Sequence, residues 1–176
     1  GQEWAGADLV FTSMPTEEAL LGLAKQLKPG SSLLVETSTI GPQTWKRVAE
    51  IVGAYLRSPI SGSTVAAEAG TLTVFASGPK AAFERARPAL AAFSRAQIWL
   101  GEGEEARYAK LAVNLMVAVT AGMIGEALAL AAKGGIAWEA ILDVIGESAV
   151  GSPLVKYKVD PLKRRDFTPA ATNALL

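Results

Sequence analysis

The sequence predicts an α/β fold: a doubly wound, largely parallel sheet followed by an all-α region built on one long helix. Three observations carry this. Five short apolar runs alternate with amphipathic stretches of ten or more residues as far as Gly101. The alternation then stops and gives way to a long, mostly apolar stretch without strand-like breaks. With 176 residues, 50% hydrophobic and 19% charged, the chain can bury a substantial core.

Taken in order, "DLVFTSM" (8–14) reads as a buried strand. "PTEEALLGLAKQL" is then a helix capped by Thr16, with glutamates in its first turn and "KPG" as its stop. "SSLLVETST" (31–39) is a second strand, and "GPQTWKRVAEIVG" a second helix with Pro42 near its start. "AYLRSPIS" (54–61) is a third strand and "SGSTVAAEAG" (61–70) a small-residue loop. "TLTVFAS" (71–77) is a strand, "GPKAAFERARPALAAFS" a helix, and "RAQIWLG" (95–101) the fifth strand. Residues 103 to 133 read as one long helix ended by "KGG", and 136 to 147 as another. The remainder reads as irregular or short-helical. The division expected is therefore 1–101, part of a nucleotide-binding domain, and 102–176, part of a helical domain.

Composition removes several classes of function. Lysine plus arginine equals aspartate plus glutamate, so no basic excess points to nucleic acid. Without cysteine there is no disulfide, thiol nucleophile or Cys-type zinc site. Without histidine there is no Ser-His-Asp triad, no HExxH site and no side chain that ordinarily titrates near neutrality. Acid–base chemistry falls to Lys, Tyr, Asp or Glu. "GQEWAGADLVF" reads as neither signal nor transit peptide. The apolar run from Leu111 to Gly125 is interrupted by Asn114 and Thr120, which predicts a buried helix rather than a membrane span, and a cytoplasmic protein.

"GEGEEA" (101–106) fits the dinucleotide fingerprint G-x-G-x-x-A between a strand and a helix. Its chemistry does not fit. Glu102, Glu104 and Glu105 place negative charge where a pyrophosphate would meet helix amides. The acid some twenty residues on, Glu126, lies in the same helix, not at the end of a following strand. A turn into a helix stabilised by its own glutamates is the better reading.

Beyond it, Lys110 and Asn114 lie one helical turn apart in the otherwise apolar "YAKLAVNLM". In a largely buried helix such groups face a cleft, snorkel to solvent or pair internally. In a dry cleft the amine would have a depressed pKa and could donate a proton. Position alone does not choose among these.

Several segments together resemble one family. "VETSTIGPQT" (35–44) is similar to the D-x-S-T-I-x-P-x-T strand end of the β-hydroxyacid dehydrogenases. "SPISGSTVAAEAGTLTVFASG" (58–78) resembles their A-P-V-S-G-G segment with its later alanine, G-T-L and closing glycine. "GEGEEARYAKLAVNLM" (101–116) resembles their glycine turn and K-L-x-x-N helix, "GEALALAAKGGI" (125–136) the next helical stretch, and "RRDFTPA" a later F-x-P segment. Known members include 3-hydroxyisobutyrate dehydrogenase and tartronate semialdehyde reductase, with 6-phosphogluconate dehydrogenase more distant.

The resemblance implies a partial Rossmann-like domain followed by a helical substrate and dimerisation domain. It implies an NAD- or NADP-dependent oxidoreductase that moves hydride between nicotinamide and a small 3-hydroxy acid or its semialdehyde. Lys110 takes the place of the catalytic lysine that gives or accepts the substrate proton, and Asn114 that of the amide beside it. Ser61 and Gly62 match the loop that grips the substrate carboxylate, with Ser63 where a second glycine is usual. Thr39 matches the residue beside nicotinamide and substrate, and Met14 and Pro15 the strand end lining the cofactor site.

Glu36 replaces the usual aspartate, a mild change. The family's glycine-rich phosphate loop and its later K-D-L segment have no counterpart in this sequence, so cofactor preference is not readable. A shortened member serving as an oligomerisation or binding module is the alternative expectation. The apolar first strand, as a sheet edge, and the long apolar helix predict a homodimer or higher homo-oligomer.

Overall fold

A computed structural model describes residues 6–27 and 32–168. Two compact units divide within the long helix, Gly1–Leu111 and Ala112–Leu176.

In the first unit, β1 (Leu9–Thr12), β2 (Leu33–Glu36) and β3 (Tyr55–Arg57) run parallel. Helices α1 (Glu17–Gln26) and α2 (Pro42–Val52) connect them. Both helices start as their sequences dictate. The Thr16 hydroxyl accepts from the Ala19 amide at 3.2 Å, and Pro42 opens α2.

Alternation along the strands sorts the core into two faces. Val10, Leu34 and Tyr55 pack with Leu20 and Ala24 of α1 and with Trp45, Val48 and Val52 of α2. Leu33, Val35 and Leu56 face the other way, with Phe83, Ala86 and Leu90 of α4 (Lys80–Ala91). Helices on both faces make this half of the sheet doubly wound.

The sheet is largely parallel as expected, with antiparallel pairing where its two halves meet. β5 (Leu72–Ser77) is antiparallel to β3 and to β4 (Ile60–Ser61), while β6 (Ser94–Gly101) is parallel to β5. Residues 54–61, expected as one strand, form β3 and β4 on either side of Pro59. The proline has no amide to donate, but its carbonyl accepts from Phe75 N–H at 3.0 Å and keeps the register. The reversal sets Ser77, the last residue of β5, beside Arg57, the last residue of β3. The loop expected at 61–70 contains a short helix, α3 (Thr64–Glu68), capped by Ser63.

The long helix is α5 (Glu105–Lys133). Its second half joins α6 (Trp138–Glu147) and α7 (Pro153–Lys163) around Ile124, Leu128, Leu142, Ile145 and Val155. Helix α7 takes up the short-helical alternative expected there. Ser152 caps it, and Val155, Val159 and Leu162 give it an apolar stripe despite the internal Pro161.

The expectation that α5 is largely buried is not met among the described residues. Its apolar stretch reaches a mean hydropathy of 1.9 over an 18-residue window, long and apolar enough to cross a membrane by length and composition. Only 17% of that window is buried, because the described residues cover little of it. The "KPG" stop after α1 and the proline ending "DFTP" lie outside the described residues.

Candidate functional site

Parallel strands converge chemistry at their carboxyl ends, where connecting loops splay apart. Met14 and Pro15 follow β1 there, half-buried and exposed respectively, and half-buried Thr39 follows β2. Three links tie these two loops together. Thr37 donates both its amide and its hydroxyl to the Thr12 carbonyl, each at 2.8 Å. The Ser38 hydroxyl accepts from the Met14 amide at 2.6 Å. Glu17, in the first turn of α1, accepts from the Gly41 amide at 2.8 Å and from the Thr44 hydroxyl. Those bonds hold the Glu17 carboxyl below its ordinary pKa, the Thr44 bond foremost.

Beneath the loops a row of polar side chains crosses the sheet in register: Thr12, Glu36, Arg57 and Ser77. Ser77 accepts the Ala106 amide at 3.3 Å, and Arg57 pairs with Glu104 at 2.8 Å. Glu104 also pairs with Arg107, whose side chain is only 4% exposed. Both guanidiniums lie over the Trp45 ring, Arg107 at 5.2 Å and Arg57 at 5.9 Å from its centroid. The start of α5 is thereby pinned to the sheet end at which Met14 and Thr39 stand. Sequence reading missed this bracket, because Arg57, Glu104 and Arg107 individually look like surface charges.

Lys110 follows Arg107 by one turn on α5. It is half-buried, and desolvation holds its amine below the ordinary lysine pKa. Asn114 follows after one more turn, also half-buried. The unit boundary at Leu111 places Lys110 in the first unit and Asn114 in the second.

Ser61 ends β4, opposite Thr73, farther along the sheet than the polar row. The structure brings Met14 and the Thr39 loop together and anchors the helix of Lys110 to the same sheet end. It does not place Ser61 in that row. Gly62 has φ +146°, and a Cβ there would sit 2.6 Å from Leu72 Cδ2, so the turn after Ser61 requires glycine. Ser63, the departure from the double-glycine pattern, adopts ordinary extended backbone and accepts the Ala66 amide at 3.3 Å. Its hydroxyl serves as a helix cap.

Burial pushes the Glu36 carboxyl up to about 7, against the lowering effect of its bonds with Ser38. Its stability contribution is therefore fully present below the ordinary carboxylate range and is lost as pH rises through about 7.

The residues fit one end of a dinucleotide. Carboxyl ends of parallel strands, an apolar Met14 and a half-buried hydroxyl at Thr39 suit a nicotinamide face. The described residues include no pyrophosphate cradle. The turn at Gly101–Glu105 is filled by the chain itself, because the Glu105 carboxylate accepts the Gly103 amide at 2.8 Å. A Cβ on Gly101 would lie 2.4 Å from that carboxyl group. This agrees with the reading of "GEGEEA" as a helix turn. No cluster of His, Cys, Asp or Glu among the described residues could hold a metal ion.

The sequence model for the NAD binding domain of 6-phosphogluconate dehydrogenase matches residues 3–101. That for the NAD-binding region of NADP-dependent 3-hydroxyisobutyrate dehydrogenase matches residues 104–176. The chain is 33% identical to 3-hydroxyisobutyrate dehydrogenase of Pseudomonas aeruginosa over 159 residues, covering 84% of this chain and 53% of that enzyme. It is 33% identical to L-threonate dehydrogenase of Escherichia coli over 169 residues, covering 92% and 56%. The solved 3-hydroxyisobutyrate dehydrogenase of Mycobacterium tuberculosis with L-serine superposes with a TM-score of 0.83 at 27% identity, covering 99% of this chain and 65% of that one. The chain spans about half the length of the curated relatives it matches. With matches to both halves of the sequence and the mixed sheet and pinned helix in place, the chain belongs to the β-hydroxyacid dehydrogenase family.

Proposed function

We propose that this chain carries the nicotinamide side and the proton-transfer group of an NAD- or NADP-dependent dehydrogenase acting on small 3-hydroxy acids or their semialdehydes. The observation that carries the reading is Lys110: a half-buried, desolvated amine on a helix pinned to the strand ends where Met14 and Thr39 stand. The nicotinamide, when bound, supplies or accepts the hydride.

In the reductive direction Lys110 gives a proton from Nζ to the carbonyl oxygen as negative charge develops there. In the oxidative direction its neutral amine takes the hydroxyl proton. Asn114, one turn on, is the amide that the family resemblance assigns to the same region of the substrate. Ser61 and Gly62 offer polar groups to the substrate carboxylate, with Ser63 fixing the turn after them. Thr39, Met14 and Pro15 line the nicotinamide.

A fluorescence titration of the chain with NADH and NADPH tests the cofactor reading. Saturable binding to the wild-type chain is expected, and to Lys110→Ala as well, since the lysine serves the substrate. No binding up to millimolar cofactor would overturn it.

A specific observation also favours self-association. Leu111, Leu115, Met116, Val119 and Met123 form an exposed apolar face on α5, and β1 pairs only with β2 among the described residues. Light scattering is expected to show a dimer or larger. A monomer at high concentration would contradict this.

A further inference from the structure

Glu36 is fully buried at the end of β2, and no cation among the described residues is paired with it. Its neighbour in register, Arg57, is committed to Glu104. Its Oε1 accepts the Ser38 amide at 2.7 Å. The Ser38 hydroxyl accepts the Met14 amide at 2.6 Å. Among the described residues Oε2 has no hydrogen-bond partner, nor do the nearby buried Thr12 hydroxyl and Tyr55 hydroxyl. A chain of bonds thus runs from one buried carboxyl group through Ser38 to the loop after β1, while Thr39 follows Ser38 directly.

We propose that Glu36 is a positioning residue: through Ser38 it clasps the Met14 and Thr39 loops into the single face they present to the nicotinamide. That these loops face nicotinamide rests on the function proposed above; the clasp itself rests only on the bonds.

The physical reason is charge assistance. An ionised carboxylate draws the Ser38 amide more strongly than a neutral acid does. That bond fixes the residue whose hydroxyl oxygen accepts the Met14 amide. A protonated Glu36 weakens it and loosens Ser38. The carboxyl group titrates at about 7, so the clasp tightens across neutrality.

The groups around it are few. From β3 come Tyr55 and Arg57, and from the start of α5 Glu104 and Arg107, all close enough to act on the Tyr55 hydroxyl together with Glu36. From β1 there is only Thr12. On α1, Glu17 is held by Gly41 and Thr44, and Lys46 and Arg47 of α2 are exposed.

The test is to follow the Met14 and Ser38 amide resonances of the isotope-labelled full chain from about pH 5 to about pH 9. In the wild-type chain both are expected to shift with one shared midpoint near 7. In Glu36→Gln both should be flat. In Ser38→Ala the residue-38 amide should still titrate while Met14 becomes flat, and this variant decides the matter should Glu36→Gln fail to fold. A flat Met14 amide in the wild-type chain, or one still titrating in either variant, would overturn the clasp. Cofactor affinity measured on the same samples separates the two claims. A titrating Met14 amide with no NADH or NADPH binding would overturn the nicotinamide reading and keep the clasp. Binding with no Met14 titration would do the reverse.

Discussion

Trp45→Ala is expected to lower the unfolding free energy of the first unit by about 3–5 kcal/mol. The indole is 1% exposed and packs in the α1–α2 face of the core, 5.3 Å from the Tyr55 ring. Its Nε1–H donates to the Ile40 carbonyl at 3.1 Å, which would be left buried without that donor. It also supports two guanidiniums, the half-buried Arg57 and the buried Arg107. Removing it opens a cavity and strips the ring from two charges that water cannot easily reach. A loss of this size is a large fraction of the roughly 5–15 kcal/mol typical of a folded domain. Urea unfolding monitored by circular dichroism should show the midpoint falling sharply in Trp45→Ala and much less in Trp45→Phe, which keeps a ring under the arginines. An unchanged midpoint for Trp45→Ala would mean that the bracket does not hold α5 to the sheet.

The second large effect is on chemistry. Lys110→Met keeps the length and packing of the side chain and removes its proton. Loss of a positioned general acid or base ordinarily costs a factor of about 10²–10⁴ in rate. The pH dependence carries a definite sign. Burial lowers the lysine pKa, so the protonated amine needed for reduction is lost at a lower pH than for an exposed lysine. Reduction should fall as pH rises through that value, and oxidation, which needs the neutral amine, should rise. In Lys110→Met both limbs of the profile should vanish along with most of the rate.

Much of this was legible in the sequence where the cause is local. Thr16 caps α1 because its hydroxyl reaches an amide three residues on, and Pro42 opens α2 because its ring fixes a helical φ. The five strands appear where apolar residues cluster between turn residues. The direction of β5 was not legible. Nothing within "TLTVFAS" states that β5 opposes β3, because that is decided by pairing with residues 12 to 20 positions earlier in the chain. Helix α7 was legible only as an alternative to irregular chain; it holds Pro161, whose disfavour inside a helix is outweighed by the packing of Val155, Val159 and Leu162.

For the site, Lys110 and Asn114 stood out because polar residues interrupt an apolar helix. Glu36 did not, since an acid at the end of a strand normally meets solvent. Only the register that sets it between Thr12 and Arg57 reveals it as buried. The Trp45 bracket is invisible for the same reason, as its members come from α2, β3 and the start of α5.

The central claim is that Lys110 is the proton carrier of a dehydrogenase site. It is tested most directly by following NADH and NADPH oxidation by the full chain with small carboxylate semialdehydes, across pH, for wild type and Lys110→Met. Semialdehyde-dependent oxidation that declines with rising pH in the wild type and is nearly abolished in the variant is the predicted result. Turnover in Lys110→Met equal to wild type, with the same pH profile, would contradict it.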